Sequence, residues 1–151
     1  METNSNHTTA ALINLSTLSQ YFIPFGNFIF PIIIWSSKKE SSEYIDKQGK
    51  ETINFQLSLF LYTLILAAIA IPIFLVTFFN NVDFSAIENG DDFLIEHFNF
   101  ENVSSLIIIA IMAAVILLTL KIAEFFLIIY ASIKTSNGDD FKYPLTIPFI
   151  K

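Results

Sequence analysis

Hydrophobic and polar positions divide this chain into three long apolar runs separated by two polar connections. No Asp, Glu, Lys or Arg occurs from Thr3 to Ser37, from Thr52 to Val82, or from Asn102 to Leu120. A helix needs about 20 apolar residues to cross the hydrocarbon layer of a bilayer, and each run is of that order. The pattern predicts an all-α integral membrane protein with three transmembrane helices, at about 9–35, 52–79 and 104–133. A short polar loop at 36–51 joins the first two, an acidic loop at 80–103 joins the second to the third, and a tail follows at 134–151. A single membrane domain over 1–151 takes up the whole length.

The first run contains Pro24 and Pro31. Each proline removes a backbone donor and crowds the preceding turn. Within a membrane such breaks are tolerated only where protein or water satisfies the freed carbonyls. The segment Pro24-Phe25-Gly26-Asn27 is therefore expected to kink the first helix and to face other helices. Trp35 closes the run where an aromatic interfacial anchor belongs, and Tyr143 is the corresponding anchor in the tail. The run is long, has no preceding Lys or Arg and no following small-x-small site, so it reads as a retained helix and not a cleaved leader.

Charge adds orientation. Lys38, Lys39, Lys47 and Lys50 lie in the 36–51 loop, and Lys134, Lys142 and Lys151 in the tail. The 80–103 loop has no basic residue and carries Asp83, Glu88, Asp91, Asp92, Glu96 and Glu101. Cytoplasmic loops are the Lys-rich ones. The polar loop and tail are then inside, and three crossings give an N-out/C-in topology.

Composition narrows the function classes. Hydrophobic residues make up 54% of the 151 residues, and mean hydropathy is +0.60, so no separate soluble domain is expected. The absence of Cys excludes disulfides, thiolate metal sites and a cysteine nucleophile. A net charge of −6 argues against nucleic acid as a partner. His97 beside Glu96 in a solvated acidic loop is too sparse for a metal site. Ser16, Thr17 and Ser19 have no nearby base, so nucleophilic catalysis has no support.

Lys121 and Glu124 are the only charges inside a predicted span. Three residues apart, they share a helix face, and charges avoid lipid. At about 1.5 Å per residue, Lys121, Glu124, Asn27 and Tyr62, with Ser58 and Asn54 below it, fall in the inner half of the membrane. They form a candidate intramembrane polar cluster. It serves either as a packing network, as a partner-subunit contact, or as a proton or ion path.

Three stretches carry a family resemblance. They are Ile23-Pro24-Phe25-Gly26-Asn27 through Pro31-Ile32-Ile33-Ile34-Trp35 with Lys38-Lys39; Gly49-Lys50-Glu51 with Asn54-Phe55-Gln56-Leu57-Ser58; and Tyr143-Pro144-Leu145-Thr146-Ile147. The chain resembles a bacterial small membrane-protein family of unknown function, distantly Tic-twenty-like, after a component of the chloroplast inner-envelope translocon. Members often have Gly where this chain has Phe30, and a shorter second loop. The resemblance implies a helical membrane fold and no chemistry.

The expected function is that of a non-enzymatic accessory or scaffold subunit of the bacterial cytoplasmic (inner) membrane, multi-pass and without cofactor or metal. Its partners would be membrane lipid and other integral membrane proteins or itself. The alternative is an oligomeric channel or carrier with a path lined by Lys121 and Glu124. The tail is apolar at Phe141, Tyr143, Leu145, Ile147, Phe149 and Ile150, and Pro144 and Pro148 forbid a regular helix there. It is expected to fold back in extended form along the cytoplasmic interface, against the 36–51 loop or a partner.

Overall fold

The computed structural model describes residues 2–81 and 100–151. The described residues are helical and irregular, with no strand among them. The helices are α1 (Glu2–Ser16), α2 (Gly26–Lys38), α3 (Glu43–Asn81) and α4 (Phe100–Ser136), with short 3₁₀ turns at Thr17–Tyr21 and Lys39–Ser41. Most of the acidic loop, with His97, lies outside the described residues.

Two helices are long and apolar enough to cross a membrane, over Glu43–Val76 within α3 and Ile107–Ser136 within α4. Their most apolar 18-residue windows are 0% and 6% buried. A soluble core helix of this hydropathy would be covered, whereas lipid needs no cover. Both helices run beyond the expected spans. The extension of α3 back to Glu43 places Glu43 and Asp46 in its first turn, where carboxylates favour the positive end of the helix dipole.

The first apolar run is not the single kinked helix expected at 9–35. It is divided into α1, a 3₁₀ turn and α2. The break falls at Phe22–Phe25, where Pro24 cannot continue a helix and Phe25 takes a left-handed conformation at φ 60. Gly26 then passes so close to the 3₁₀ turn that a Cβ would lie 2.8 Å from the Ser19 carbonyl carbon. Only glycine permits that approach. The turn satisfies its own backbone: Phe22 and Ile23 N–H groups donate to Ser19 O, and Phe28 and Ile29 N–H groups to Phe25 O.

The result is a hairpin, traced by its contacts. The His7 ring meets Tyr44 at 5.2 Å between centroids, and Trp35 Nε1 donates to Asp46. Both open ends of the hairpin thus reach the start of α3. Near its tip, Asn27 Nδ2 donates to Gln56 Oε1 at 2.8 Å. Gln56 lies twelve residues beyond Tyr44, roughly 18 Å along α3 at about 1.5 Å per residue. That height is less than the roughly 30 Å thickness of a hydrocarbon core. Tyr21, Phe22, Ile23 and Phe25 are all exposed at the tip, as suits a lipid-facing turn.

The chain forms two compact units, one of Met1–Leu61 with Leu120–Lys151 and one of Tyr62–Thr119. In the first, Phe55, Ala131 and Tyr143 form an apolar centre, with Leu59, Leu127 and Phe141 packed against it. The second is apolar on its surface at Leu64, Ile65, Ile69 and Ile108. It holds a cavity of about 240 Å³ lined by Ala70, Ile71, Phe74, Ile109, Ala110 and Ala113.

Candidate functional site

Polar side chains make up about half of the interior of the first unit. Asn14, Thr17, Gln48, Thr52, Asn54, Gln56, Ser58, Glu124, Ser132 and Thr135 are all buried. Serine and threonine hydroxyls on a helix are cheap to bury because each can bond the carbonyl one turn back; Thr135 and Ser132 do so onto Ala131 and Ile128. The amide and carboxylate side chains need partners from other elements, and these fix the packing.

Asn14 is the hub. Its Nδ2 donates to Ala10 O and to Thr135 Oγ1, each at 3.2 Å. Its Oδ1 accepts from Thr52 Oγ1 and from the Tyr143 hydroxyl, each at 2.7 Å. One amide therefore ties α1 to α3, α4 and the tail with all four of its hydrogen-bonding valences used.

The tail is folded back in extended form, as expected, but its residues 143–150 dock on α3 beyond the 36–51 segment and on Asn14. Tyr143 is buried and stacks on Phe55 with ring centroids 4.1 Å apart and planes 10° from parallel. The expected interfacial anchor is thus a core residue. Its ring completes the apolar centre and its hydroxyl finds Asn14, whereas an anchor would keep the hydroxyl in water. Burial pushes the Tyr143 hydroxyl pKa up. Asn54 holds the end of the tail like a strand partner: Nδ2 donates to Ile150 O at 3.0 Å and Oδ1 accepts from Ile150 N at 2.8 Å. Ser58 Oγ accepts from Ile147 N at 2.8 Å. At the near end Asp140 pairs with Lys47 and accepts from Gln48, and the Lys47 ammonium holds its carboxyl below the usual carboxylate range. Trp35 does stand at the polar end of α2, partly exposed.

The intramembrane residues singled out from the sequence fall into separate groups. Lys121 Nζ donates to Glu124 Oε2 at 2.8 Å and to Gln20 Oε1 at 3.0 Å, and Gln20 Nε2 donates to Glu124 Oε1 at 2.8 Å. Glu124 is buried while the Lys121 side chain is half exposed, bordering an open groove with Tyr21, Phe125 and Phe126. Asn27 meets Gln56; Asn54 and Ser58 meet the tail. Tyr62 belongs to the other unit. Asn14, Gln20, Thr52 and Gln56 escaped the sequence reading. Each is a polar residue within or at the edge of an uncharged run, where lipid would penalise it unless a neighbouring element supplied a partner.

Among the described residues no three His, Cys, Asp or Glu side chains come together as a metal site. The geometry offers a buried hydrogen-bond framework, in which the Gln56 Nε2 group is left unpaired, a paired charge at Lys121 and Glu124, and a docked tail. No curated protein and no solved structure matches the chain, and the Tic-twenty-like resemblance finds no support in these comparisons. A family match does extend from residue 5 to residue 150, across the hairpin, both apolar helices and the tail. The chain belongs to the magnetosome magnetite crystal formation protein family, MamF/MmsF.

Proposed function

We propose that this protein is a non-enzymatic accessory or scaffold subunit of the bacterial membrane in which magnetite crystals form, working through contacts with lipid and with other integral membrane proteins or copies of itself. The family match carries the magnetosome part of this reading. The Gln20–Lys121–Glu124 group supports the structural part: Glu124 has a donor on each oxygen and is nearly inaccessible. A carboxylate held so is a packing element, since moving a proton through it would first break two charge-assisted bonds. The half-exposed Lys121 on its open groove favours the second reading, a channel or carrier lined by Lys121 and Glu124.

The same proposal carries a topology. α3 and α4 are the two full crossings, and the α1–α2 hairpin enters and leaves on the side of the tail. The lysines at 38, 39, 47, 50, 134, 142 and 151 put that side in the cytoplasm, so the N-terminus joins it there. The expected N-out arrangement required the first run to cross.

The experiment is deletion of the chain in a magnetite-forming host, with crystals measured by electron microscopy. Crystal number or size should change and wild type should restore it. In the scaffold reading, Glu124→Gln and Lys121→Met lose function only as far as they lose abundance. Lost function at normal abundance would favour the carrier, and unchanged crystals on deletion would overturn the assignment.

A further inference from the structure

A polar pocket of about 440 Å³ opens where the ends of α2, α3 and the tail meet. Its back wall is Trp35. The indole is seated on Gly49, where a Cβ would come within 2.2 Å of Trp35 Cδ1, and its Nε1 donates to Asp46 Oδ1 at 3.0 Å. The ring is thereby fixed on one face and at its edge. Lys39 Nζ stands over it, 5.0 Å from the centroid. Lys50 pairs with Asp46 at 2.6 Å. Lys151 borders the pocket from the tail, placed by the two bonds between Asn54 and the Ile150 backbone.

Two of its ammonium groups are not engaged in ion pairs. Lys39, Lys50 and Lys151 line the pocket with Asp46 and Glu40. Asp46 is engaged by Lys50 and Trp35, with Lys39 acting on it from a greater distance. Neither Lys39 nor Lys151 has a carboxylate within 4 Å among the described residues. Below the pocket the same face of α2 is apolar: Ile32, Trp35 and Lys39 succeed one another at helical spacing, and Ile29 and Ile33 are exposed beside them. A stripe that runs from lipid-facing aliphatic to tryptophan to lysine marks the level of the headgroups.

We propose that this pocket binds the phosphodiester headgroup of an anionic glycerophospholipid, with Lys39 and Lys151 on the phosphate, Trp35 as the wall, and the acyl chains along Ile32 and Ile33. The volume is in the range of small-molecule sites. A lipid is favoured over a soluble anion because the aliphatic stripe leads directly into the pocket. Occupancy would join the end of the tail to the end of α2 and so couple tail docking to membrane composition.

Trp35 is the only tryptophan, so its fluorescence reads this site alone. The full chain in neutral detergent is titrated with phosphatidylglycerol, with phosphatidylcholine and with inorganic phosphate. The expected result is a saturable change with phosphatidylglycerol at a midpoint on the order of tenfold below that for phosphatidylcholine, and none with inorganic phosphate. Combined Lys39→Ala and Lys151→Ala should raise the phosphatidylglycerol midpoint by about tenfold or more, while Lys142→Ala, outside the pocket lining, leaves it unchanged. Equal midpoints for the two lipids, an unaltered midpoint in the double variant, or an equal response to inorganic phosphate would each overturn the lipid site.

Discussion

Asn14 should be the costliest polar side chain of the first unit to remove. In Asn14→Ala the Tyr143 hydroxyl loses its acceptor at 2.7 Å and keeps only the Thr52 hydroxyl beside it, a loss of about 1 kcal/mol. Thr52 and Thr135 retain acceptors in Gln48 O and Ala131 O, so their losses are those of bonds between helices in a membrane, about 0.6 kcal/mol each. The three heavy atoms removed leave a small void worth roughly 1 kcal/mol. The total is about 3 kcal/mol, a large share of the 5–15 kcal/mol typical of a whole domain. Tyr143→Phe should cost less, about 0.5–1.5 kcal/mol, because Asn14 Oδ1 keeps Thr52. In the double variant the bond between the two side chains is lost once and not twice, so its cost should fall short of the sum by about 1 kcal/mol. Reversible unfolding of the full chain in mixed micelles with increasing dodecyl sulfate, followed through Trp35 fluorescence, measures all three. Additivity of the two substitutions within about 0.5 kcal/mol would refute the account of Asn14 as a shared acceptor.

Lys121→Ala should destabilise more than the joint replacement of Lys121 and Glu124 by Leu, since the single change strands a buried carboxylate with Gln20 as its sole remaining partner; the same unfolding assay ranks them, and the reverse order would sink the pairing argument. Acid should loosen the near end of the tail only slightly. Asp140 is held below its ordinary pKa by Lys47, so its contribution is complete above the unfolded value of about 3.9 and is lost as pH falls through the folded value. The pair is exposed, and Tyr143, Asn54 and Ser58 hold the rest of the tail, so Asp140→Asn should raise tail cleavage by a protease active at neutral pH by no more than about fivefold; wholesale release of the tail would refute this. For topology, the chain contains no cysteine, so Ser5→Cys and Ser41→Cys can be labelled singly with a membrane-impermeant maleimide; both should react from the same side, and reaction from opposite sides would refute the hairpin.

How far the sequence reveals this architecture depends on what each residue type reports. Apolar runs without charge report lipid exposure, and the cores of α3 and α4 were legible for that reason. Their ends were not. Hydropathy stops at the membrane surface near Thr52, while the helix continues in water through Glu43–Glu51, stabilised by its acidic first turn and the Asp46–Lys50 pair. The tail was also legible, because two prolines forbid a helix and several large apolar groups need cover; that Tyr143 would be the deepest of them was not, since an aromatic beside lysines reads equally as an interfacial anchor.

The division of the first run into two arms was not legible for a deeper reason. A crossing helix and a re-entrant hairpin both present apolar side chains to lipid, so their composition is the same, and length alone favours the crossing. The distinction lies in the residues that face inward. Asn14, Gln20 and Asn27 are spaced along both arms of the hairpin and bond to Thr135, Glu124 and Gln56. Two of these three partners are carried by α4, and the depths agree: Thr135 and Glu124 are eleven residues apart, roughly 17 Å at about 1.5 Å per residue, close to the roughly 18 Å from Tyr44 to Gln56 on α3. An α1 that rises beside α4 by that height and an α2 that descends beside α3 must reverse between them, and Pro24, the left-handed Phe25 and Gly26 stand at that place. The polar residues thus fix the reversal of the chain that the apolar ones leave open. Read as partners to be satisfied in lipid, Asn14, Gln20 and Asn27 would have required three neighbours at graded depths, and Pro24-Phe25-Gly26 would have marked a reversal and not a kink.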